Sequence, residues 1–479
     1  TTDSITGSSI VSQPSTSIFS STDPNQQQLT ATGSSYPDDQ RPLLSSANTS
    51  LYQNDDPEIL YEESPPSASP ISCSVNLVNT ILGTGLLAMP AALASVGLIP
   101  GIMVVFLSAI TSGLGLYFLS RCAARTDGRN ASFFAISKLT WPNLAIFFDL
   151  AIAIKCFGVA VSYLIIIGDL MPQVMASFSE QGSVQDQILL DRRFWITVFM
   201  AIAILPLSFL RKLDSLKYTS VVALFAVVYL CAIVVYYFFT SLPIPPSGEP
   251  LPEPVIELFS FSTAFFRRLP VFIFAFTCHQ NIFSVYNELK NNSQYQVTKV
   301  ITSSIGSAAG VYQAIGIMGY LTFGKTVLSN VILEYPQSAF VAGGRLAIVI
   351  LVVFSYPLQA HPCRASLDKI LAWRSPEARG LKVPPPPSAL KYFIMTTTIL
   401  VGSYLIAITV TELDLVLAFV GSTGSTTISF ILPGIFYYKI HENDPWKPGK
   451  IAAVCLAVYG ILVMSICLTF NILNVVDHE

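Results

Sequence analysis

Charged side chains are scarce in this chain. Asp, Glu, Lys and Arg together make up 11% of its 479 residues, whereas hydrophobic residues make up 52%. A soluble domain carries about 25% charged residues, so this chain cannot cover itself with a water-compatible surface. The formal net charge of −3 offers no basic surface to a nucleic-acid partner. The composition therefore predicts an integral membrane protein whose main surroundings are a lipid bilayer.

Catalytic and metal-binding signatures are also lacking. The chain has four His residues, and one of them, His478, follows the last apolar run. It contains neither an HExxH motif nor a GxGD-type aspartate pair, which are signatures of intramembrane hydrolases. We therefore expect no enzyme activity, no metal centre and no organic cofactor.

The first 70 residues lack long apolar runs and are rich in Ser, Thr, Gln and Pro. Such a segment cannot bury enough surface to offset its ordering entropy, so we expect a disordered cytosolic tail. Within it, Asp39 stands four residues before Leu43 and Leu44. This spacing is typical of acidic dileucine signals, which adaptors read to sort membrane proteins to lysosomes and vacuoles. The alternative is a chance match in a polar tail.

Eleven apolar runs follow, each close to the length of about 20 residues that spans a bilayer. They lie near residues 71–95, 100–121, 144–170, 194–210, 218–240, 270–288, 298–322, 342–363, 391–410, 413–438 and 451–473. Most Lys and Arg residues between these runs fall on the side of the N-terminus, which the positive-inside rule assigns to the cytosol. The odd number then places a short C-terminal segment, 474–479, on the lumenal or exterior side.

The first run contains NTILGTGLLAMP at residues 79–90, an unusual stretch for a membrane helix. Gly83 and Gly85 each lower helix propensity by about 1 kcal/mol. An interruption here would expose backbone N–H groups at the start of a half-helix, where an anionic group such as a carboxylate binds well. The alternative is that the two glycines form a close-packing seam between helices.

The sixth run places Thr277, Cys278, His279, Gln280 and Asn281 at membrane depth. Polar groups at that depth need internal partners or a ligand. In a fold of two inverted five-helix repeats, the sixth span is the counterpart of the first, and paired interruptions of this kind indicate a transporter binding site. No Gly or Pro marks this second interruption, so only its polarity predicts it. His279 is either a ligand-binding or protonated group or a neutral, hydrogen-bonded one.

These two motifs, together with FSYPLQAHPCR at 354–364, resemble the amino acid/auxin permease family. The resemblance is strongest to its fungal vacuolar amino acid transporters and its sodium-coupled neutral amino acid transporters. It implies an all-α, LeuT-like membrane protein with eleven transmembrane helices in a 5+5 inverted repeat. It also implies secondary active transport of amino acids.

By this resemblance, two sets of residues are expected to form the site. The set expected to bind substrate comprises Asn79, Thr80, Gly83, Thr84, Gly85, Thr277, Cys278 and His279. The GTG backbone would hold the substrate carboxylate, and the region of Cys278 and His279 would meet its amino group or side chain. In sodium-coupled members, the equivalents of Asn79 and Ser355 hold the ion, although both could equally serve as helix–helix hydrogen-bonding groups.

Lys155 lies near the centre of the third span, where a lone ammonium group costs several kcal/mol. It could take the place of a sodium ion and couple transport to protons. Alternatively, it could be a static partner of backbone carbonyls, or extend to the interface. The coupling ion, Na⁺ or H⁺, therefore stays open.

The sequence thus predicts a monomeric transporter that works by alternating access. We expect it to move neutral amino acids across a vacuolar or lysosomal membrane, with the plasma membrane as the alternative location. A different class of function is an amino acid sensor that signals through the cytosolic tail.

Overall fold

The computed structural model describes residues 68–126, 128–142, 145–178, 184–210, 219–240, 242, 253–260, 262–371 and 388–478. The predicted tail up to residue 67, with its candidate sorting signal at Leu43 and Leu44, lies outside these ranges. The described part of the chain is helical, and its one β-bridge is an isolated pairing of Ala68 with Leu289.

Seventeen α-helices are described, numbered here in chain order. They are α1 Pro70–Ile81, α2 Gly85–Ala94, α3 Leu98–Ala123, α4 Phe133–Leu139, α5 Ala145–Ala176, α6 Val184–Leu189, α7 Arg192–Phe199, α8 Leu205–Ser208, α9 Thr219–Thr240, α10 Ala264–Ala275, α11 Ile282–Glu288, α12 Gln294–Phe323, α13 Ala339–Leu371, α14 Ala389–Thr409, α15 Leu413–Val420, α16 Leu432–Ile440 and α17 Pro448–His478. Two π-helical stretches, Gly421–Ser425 and Thr427–Ile431, lie between α15 and α16.

Nine helical segments of the described chain are long and apolar enough to cross a bilayer, and the bent pair α1–α2 makes a tenth. This confirms an all-helical membrane protein. The predicted fourth span, 194–210, is helical as α7, a π-helical turn and α8, but it is shorter and is not one of these ten. The eleventh span and the 5+5 inverted repeat therefore remain predictions.

The helices differ in how much protein surrounds them. In Ala145–Ala176 and in Ala264–Glu288, 83% of the most apolar stretch is buried by other parts of the chain, compared with 33% in the last helix. Helix α5 packs along α13, and the segment containing α10 and α11 lies against α3 and α15. The third and sixth predicted spans are thus at the centre of the molecule, and the last helix is at its edge.

Contacts at the helix ends define two faces. On the tail face, the start of α1 is joined to the end of α11, because Ala68 N donates to Glu288 O at 3.1 Å and Lys290 N to Ala68 O at 3.0 Å. On the far face, the rings of Phe266 and Phe470 stack 5.1 Å apart, which joins the start of α10 to the end of α17. Helix α17 continues to His478 and so includes residues 474–478 of the predicted short C-terminal segment.

An extended strap, residues 255–260, crosses the far face. Its backbone accepts hydrogen bonds from Leu98 N and Lys325 N, each at 3.0 Å, and thereby ties α3 to the end of α12. Gly97 and Gly324 have φ angles of 88° and 70°, and a Cβ on either glycine would lie within 3 Å of the strap backbone. Glycine is therefore needed at both positions.

The strap is also fixed by an ion pair. Lys325 Nζ lies 2.5 Å from Glu257 Oε1, and this hydrogen bond holds the pKa of the Glu257 carboxyl group below its usual range. A group with a lowered pKa contributes its stabilisation above its unfolded pKa and loses it only as the pH falls through the folded value. The strap attachment is therefore expected to persist in a mildly acidic compartment.

Candidate functional site

The first predicted span is interrupted where the sequence predicted it. Helix α1 ends at Ile81, Leu82 leaves the helical region with ψ 72°, and α2 begins at Gly85. The two half-helices are bent by 57° relative to each other. The described backbone hydrogen bonds across this break use the amides of Gly83, Leu86 and Leu87, but not those of Thr84 and Gly85. The interruption is confirmed, and two amides at the start of α2 have no backbone acceptor among these bonds.

The two glycines of the motif have different surroundings. A Cβ on Gly85 would lie 2.9 Å from the Cβ of Ala275, so α2 and α10 pack closely at this point. Apart from its two chain neighbours, no residue of the described part of the chain has a heavy atom within 4 Å of the equivalent position on Gly83. The packing-seam interpretation therefore fits Gly85, whereas the backbone at Gly83 has open space beside it.

This difference predicts that substitution by alanine affects protein stability at Gly85 but not at Gly83. Gly85→Ala is expected to cost about 1–3 kcal/mol of folding free energy, because it forces α2 and α10 apart. Gly83→Ala is expected to leave the melting temperature of the purified protein within about one degree of wild type. Equal losses of melting temperature in the two variants would contradict the distinction.

The sixth predicted span is interrupted as well. Helix α10 ends at Ala275, a 3₁₀ turn covers His279–Asn281, and α11 begins at Ile282. Side chains replace the missing helical hydrogen bonds: Ser112 Oγ donates to Phe276 O at 2.8 Å, and Thr277 Oγ1 donates to Ile273 O at 2.8 Å. Polar side chains thus stabilise an interruption that has no Gly or Pro.

His279 is fully buried and hydrogen-bonded through both ring nitrogens. Its Nε2 lies 3.1 Å from the carbonyl oxygen of Ser112, and its Nδ1 lies 3.1 Å from Ser429 Oγ. A carbonyl oxygen can only accept, so Nε2 carries a proton. At Nδ1, a neutral ring would accept a hydrogen bond from the Ser429 hydroxyl, and a protonated ring would donate one to it. Ser429 Oγ also lies 3.1 Å from Thr277 Oγ1, so both alternatives for His279 stay open.

One side chain joins the two interruptions. The hydroxyl of Tyr312, in the middle of α12, lies 2.6 Å from Ile81 O and 2.9 Å from Ala275 O. These carbonyls belong to the last residues of α1 and α10. A second link runs from Asn281 Nδ2 to Thr80 Oγ1 at 2.8 Å. The structure therefore brings the two predicted motifs together.

Sequence reasoning missed Tyr312, Ser112 and Ser429. Ser429 lies in the second π-helical stretch. The sequence gives only a weak indication of these three residues, because tyrosine and small hydroxyl residues are common in membrane helices. Apart from Ala275, which is 37 residues from Tyr312, their bonded partners are more than 100 residues away along the chain.

A cavity of about 20 Å³ borders the break of the first span. Gly83 and Thr84 line it together with Ile166 of α5, Leu230 of α9 and Val352 of α13. Thr84 is 4% exposed, and its hydroxyl has no hydrogen-bond partner in the described part of the chain. The cavity has room for one water molecule but not for an amino acid. Residues of α9 are among its lining, and those of α10 are not.

The three candidate ion-coupling residues do not line this cavity. The side chain of Tyr163 on α5 is close to Ser355. Lys155 is 4% exposed, lies against Gly424 of the first π-helical stretch and is close to Cys278. Asn79 is half-buried on the last full turn of α1. Lys155 is thus near the second interruption, and Ser355 is near α5.

A family model and individual known proteins similar to this chain all carry the name of amino acid transporters. The family model described as "Transmembrane amino acid transporter protein" matches residues 66–473. The chain is 45% identical to "Vacuolar amino acid transporter 5" of Schizosaccharomyces pombe, over 84% of this chain and 94% of that protein. It is 38% identical to "Vacuolar amino acid transporter 6" of Saccharomyces cerevisiae, over 82% of this chain and 97% of that protein.

A more distant animal relative covers the same region. "Sodium-coupled neutral amino acid transporter 7" of Bos taurus is 27% identical, over 81% of this chain and 83% of that protein. The family match covers every helix of the described part of the chain except the end of the last one. The chain therefore belongs to the transmembrane amino acid transporter family, as its motifs predicted, and is a transporter rather than an enzyme.

Proposed function

We propose that this chain is a secondary active transporter that moves neutral amino acids across a vacuolar or lysosomal membrane by alternating access. The observation that carries the proposal is the pair of adjacent interruptions joined by Tyr312. Two interrupted spans that meet inside a bundle indicate a transporter binding site. The names of the fungal relatives support an amino acid as the substrate and the vacuole as the location.

The ends of the half-helices suit a zwitterion. The start of α2 offers the amide of Thr84 and the positive end of a helix dipole, which favour a carboxylate. Ile81 O and Ala275 O are at the negative ends of α1 and α10, and they would accept from an ammonium group. In this structure the Tyr312 hydroxyl is hydrogen-bonded to these two carbonyls. Substrate binding would therefore compete with Tyr312 for them.

Contacts on the far face support a state that is closed on that side. Arg268 of α10 lies 3.0 Å from Asp414 of α15 and donates to Ala91 O of α2 at 2.8 Å. On the tail face, the main neighbour of α1 is α12. We propose that α1, α2, α3, α10, α11 and α12 move together against the rest, and that the far-face contacts break when substrate enters from that side.

The tail face is proposed to be cytosolic. The excess of Lys and Arg on that side supports this orientation through the positive-inside rule. A protease added to intact vacuoles would then remove an N-terminal epitope tag and spare a C-terminal one. The reverse pattern would exclude this orientation.

Proton coupling is proposed to involve Lys155. It is buried beside the second interruption, and the described residues include no carboxylate in an ion pair with it. We expect Lys155→Ala to reduce pH-driven uptake at least tenfold, with counterflow exchange of substrate retained. Cys156→Ala, the next residue on α5, is the control. Unchanged pH dependence in Lys155→Ala would exclude this role and favour Asn79 and Ser355 as sodium ligands.

The function itself is tested in proteoliposomes. Uptake of a panel of labelled amino acids is measured with an imposed proton gradient, an imposed sodium gradient, or neither. Accumulation of a neutral amino acid above equilibrium in one gradient supports the proposal. No accumulation of any amino acid in either gradient would exclude secondary active transport.

A sensor function is the second candidate, and the tail attachment favours it. Ala68 is hydrogen-bonded to the end of α11, and Arg129 donates to the carbonyls of Asn287 and Lys290 at 3.1 Å each. A movement of α11 would therefore displace Ala68 and with it the attachment point of the tail. Deleting residues 1–67 separates the two functions: a transporter retains uptake, whereas a pure sensor shows none with or without its tail.

A further inference from the structure

Arg345 is a completely buried cation in the second turn of α13. Its exposed fraction is 0%. Nε and Nη2 donate to Ile332 O at 3.3 and 3.1 Å, and Nη2 also donates to Tyr335 O at 2.7 Å. Nη1 has no hydrogen-bond partner among the described residues. Carbonyl dipoles thus satisfy part of the guanidinium group, and no described group neutralises its charge.

Two side chains in the loop whose carbonyls bind Arg345 also have buried polar atoms without hydrogen-bond partners in the described chain. Asn330 is 1% exposed, and neither its Oδ1 nor its Nδ2 is bonded within the described chain. The hydroxyl of Tyr335 is also buried without a described partner. Asn330 begins the 3₁₀ turn Val331–Leu333, and Tyr335 follows it. Buried polar groups in native proteins are almost always hydrogen-bonded, so the unbonded groups of Arg345, Asn330 and Tyr335 indicate a ligand.

Four acidic side chains of the far face are bonded to other groups. Glu334, the nearest carboxylate along the chain, accepts a hydrogen bond from Leu328 N at 2.9 Å. Glu257, Asp169 and Asp414 are paired with Lys325, Arg192 and Arg268 respectively. None of these carboxylates forms an ion pair with Arg345 in the described part of the chain.

We propose that Arg345 and its loop bind a small monovalent anion, with chloride as the probe. The unbonded groups include three donors, namely Arg345 Nη1, the Tyr335 hydroxyl and Asn330 Nδ2. A spherical anion accepts from several donors at once and supplies the missing negative charge. A water molecule would satisfy donors but leave the buried charge uncompensated.

The anion would stabilise the far-face closure. The turn Val331–Leu333, whose Ile332 carbonyl binds Arg345, packs against α2 and α5. Val331 is next to Gly319 of α12, which itself is in close contact with Pro90 of α2. An anion that fixes Arg345 and Tyr335 therefore fixes the loop that lies against the far-face ends of these helices. This inference concerns stability and does not rest on the proposed transport function.

Thermal unfolding of the purified full-length protein tests it. The melting temperature is measured in chloride and in gluconate at constant ionic strength. Wild type is expected to melt at a higher temperature in chloride, with a saturable dependence on its concentration. Tyr335→Phe, which removes only the unbonded hydroxyl group, is expected to raise the half-saturating chloride concentration at least threefold. Tyr236→Phe, at a ring that is 52% exposed, is the matched control.

Two further results complete the test. Arg345→Gln is expected to remove the chloride effect, and bromide soaked into crystals is expected to give anomalous density beside Arg345. A melting temperature that is the same in chloride and gluconate overturns the proposal. So does an equal chloride effect in wild type and Tyr335→Phe, or a site that contains water alone.

Discussion

Gly115→Ala is expected to reduce the yield of folded protein at least tenfold. Gly115 lies on α3 beside the second interruption. A Cβ at this position would be 2.1 Å from the carbonyl oxygen of Ser429 and 2.8 Å from Nε2 of His279. The backbone of the second π-helical stretch would have to move away, which breaks the hydrogen bonds of His279. Overpacking alone costs about 1–3 kcal/mol, and each buried hydrogen bond lost adds about 1–3 kcal/mol.

A matched control lies two residues away on the same helix. Beyond its own helix turn, no described residue has a heavy atom within 4 Å of the position that a Cβ on Gly113 would take. Gly113→Ala is expected to leave the folded yield unchanged or to stabilise the helix by about 0.5–1 kcal/mol. The measurement is the monodisperse fraction of detergent-solubilised protein in size-exclusion chromatography, with the melting temperature as a second readout. Normal folding of Gly115→Ala would show that α3 and the π-helical stretch are not in this close contact.

The second large effect is expected from Tyr312→Phe. Phenylalanine retains the ring, which packs 5.0 Å from Phe276, but removes the hydroxyl group that bonds Ile81 O and Ala275 O. Ile81 O keeps its hydrogen bond from Gly83 N, whereas Ala275 O is left without a donor among the described hydrogen bonds. An unbonded buried carbonyl costs about 1–3 kcal/mol, which is about a 5- to 150-fold change in an equilibrium constant. Because the proposed site uses these two carbonyls, we expect the uptake rate to fall at least tenfold.

The control for Tyr312→Phe is Tyr295→Phe, on the same helix at a position 74% exposed. It is expected to transport like wild type. Initial uptake rates and substrate concentration series are compared in proteoliposomes with equal amounts of reconstituted protein. If Tyr312→Phe has the maximal rate and half-saturating concentration of wild type, the Tyr312 hydroxyl has no part in the transport cycle.

Local chemistry explains the predictions that the structure confirms. Scarce charge and long apolar runs require a bilayer, whatever the arrangement of the helices. The interruption at Gly83 was predictable because two glycines weaken a helix on their own. The interruption after Ala275 was predictable because five consecutive polar residues cannot face lipid. Each of these inferences needs only residues that are close together in the chain.

The sequence by itself therefore determined that this is a helical membrane protein with two broken spans, and that it is related to amino acid transporters. Only the tertiary structure decided that Gly85 packs while Gly83 is open, that Tyr312 joins both breaks, that Ser429 holds His279, and that Arg345 is buried without a described counter-charge. The physical reason is that hydrophobic length and helix propensity are properties of short segments. The bonding of a buried polar group depends instead on atoms brought to it from distant parts of the chain.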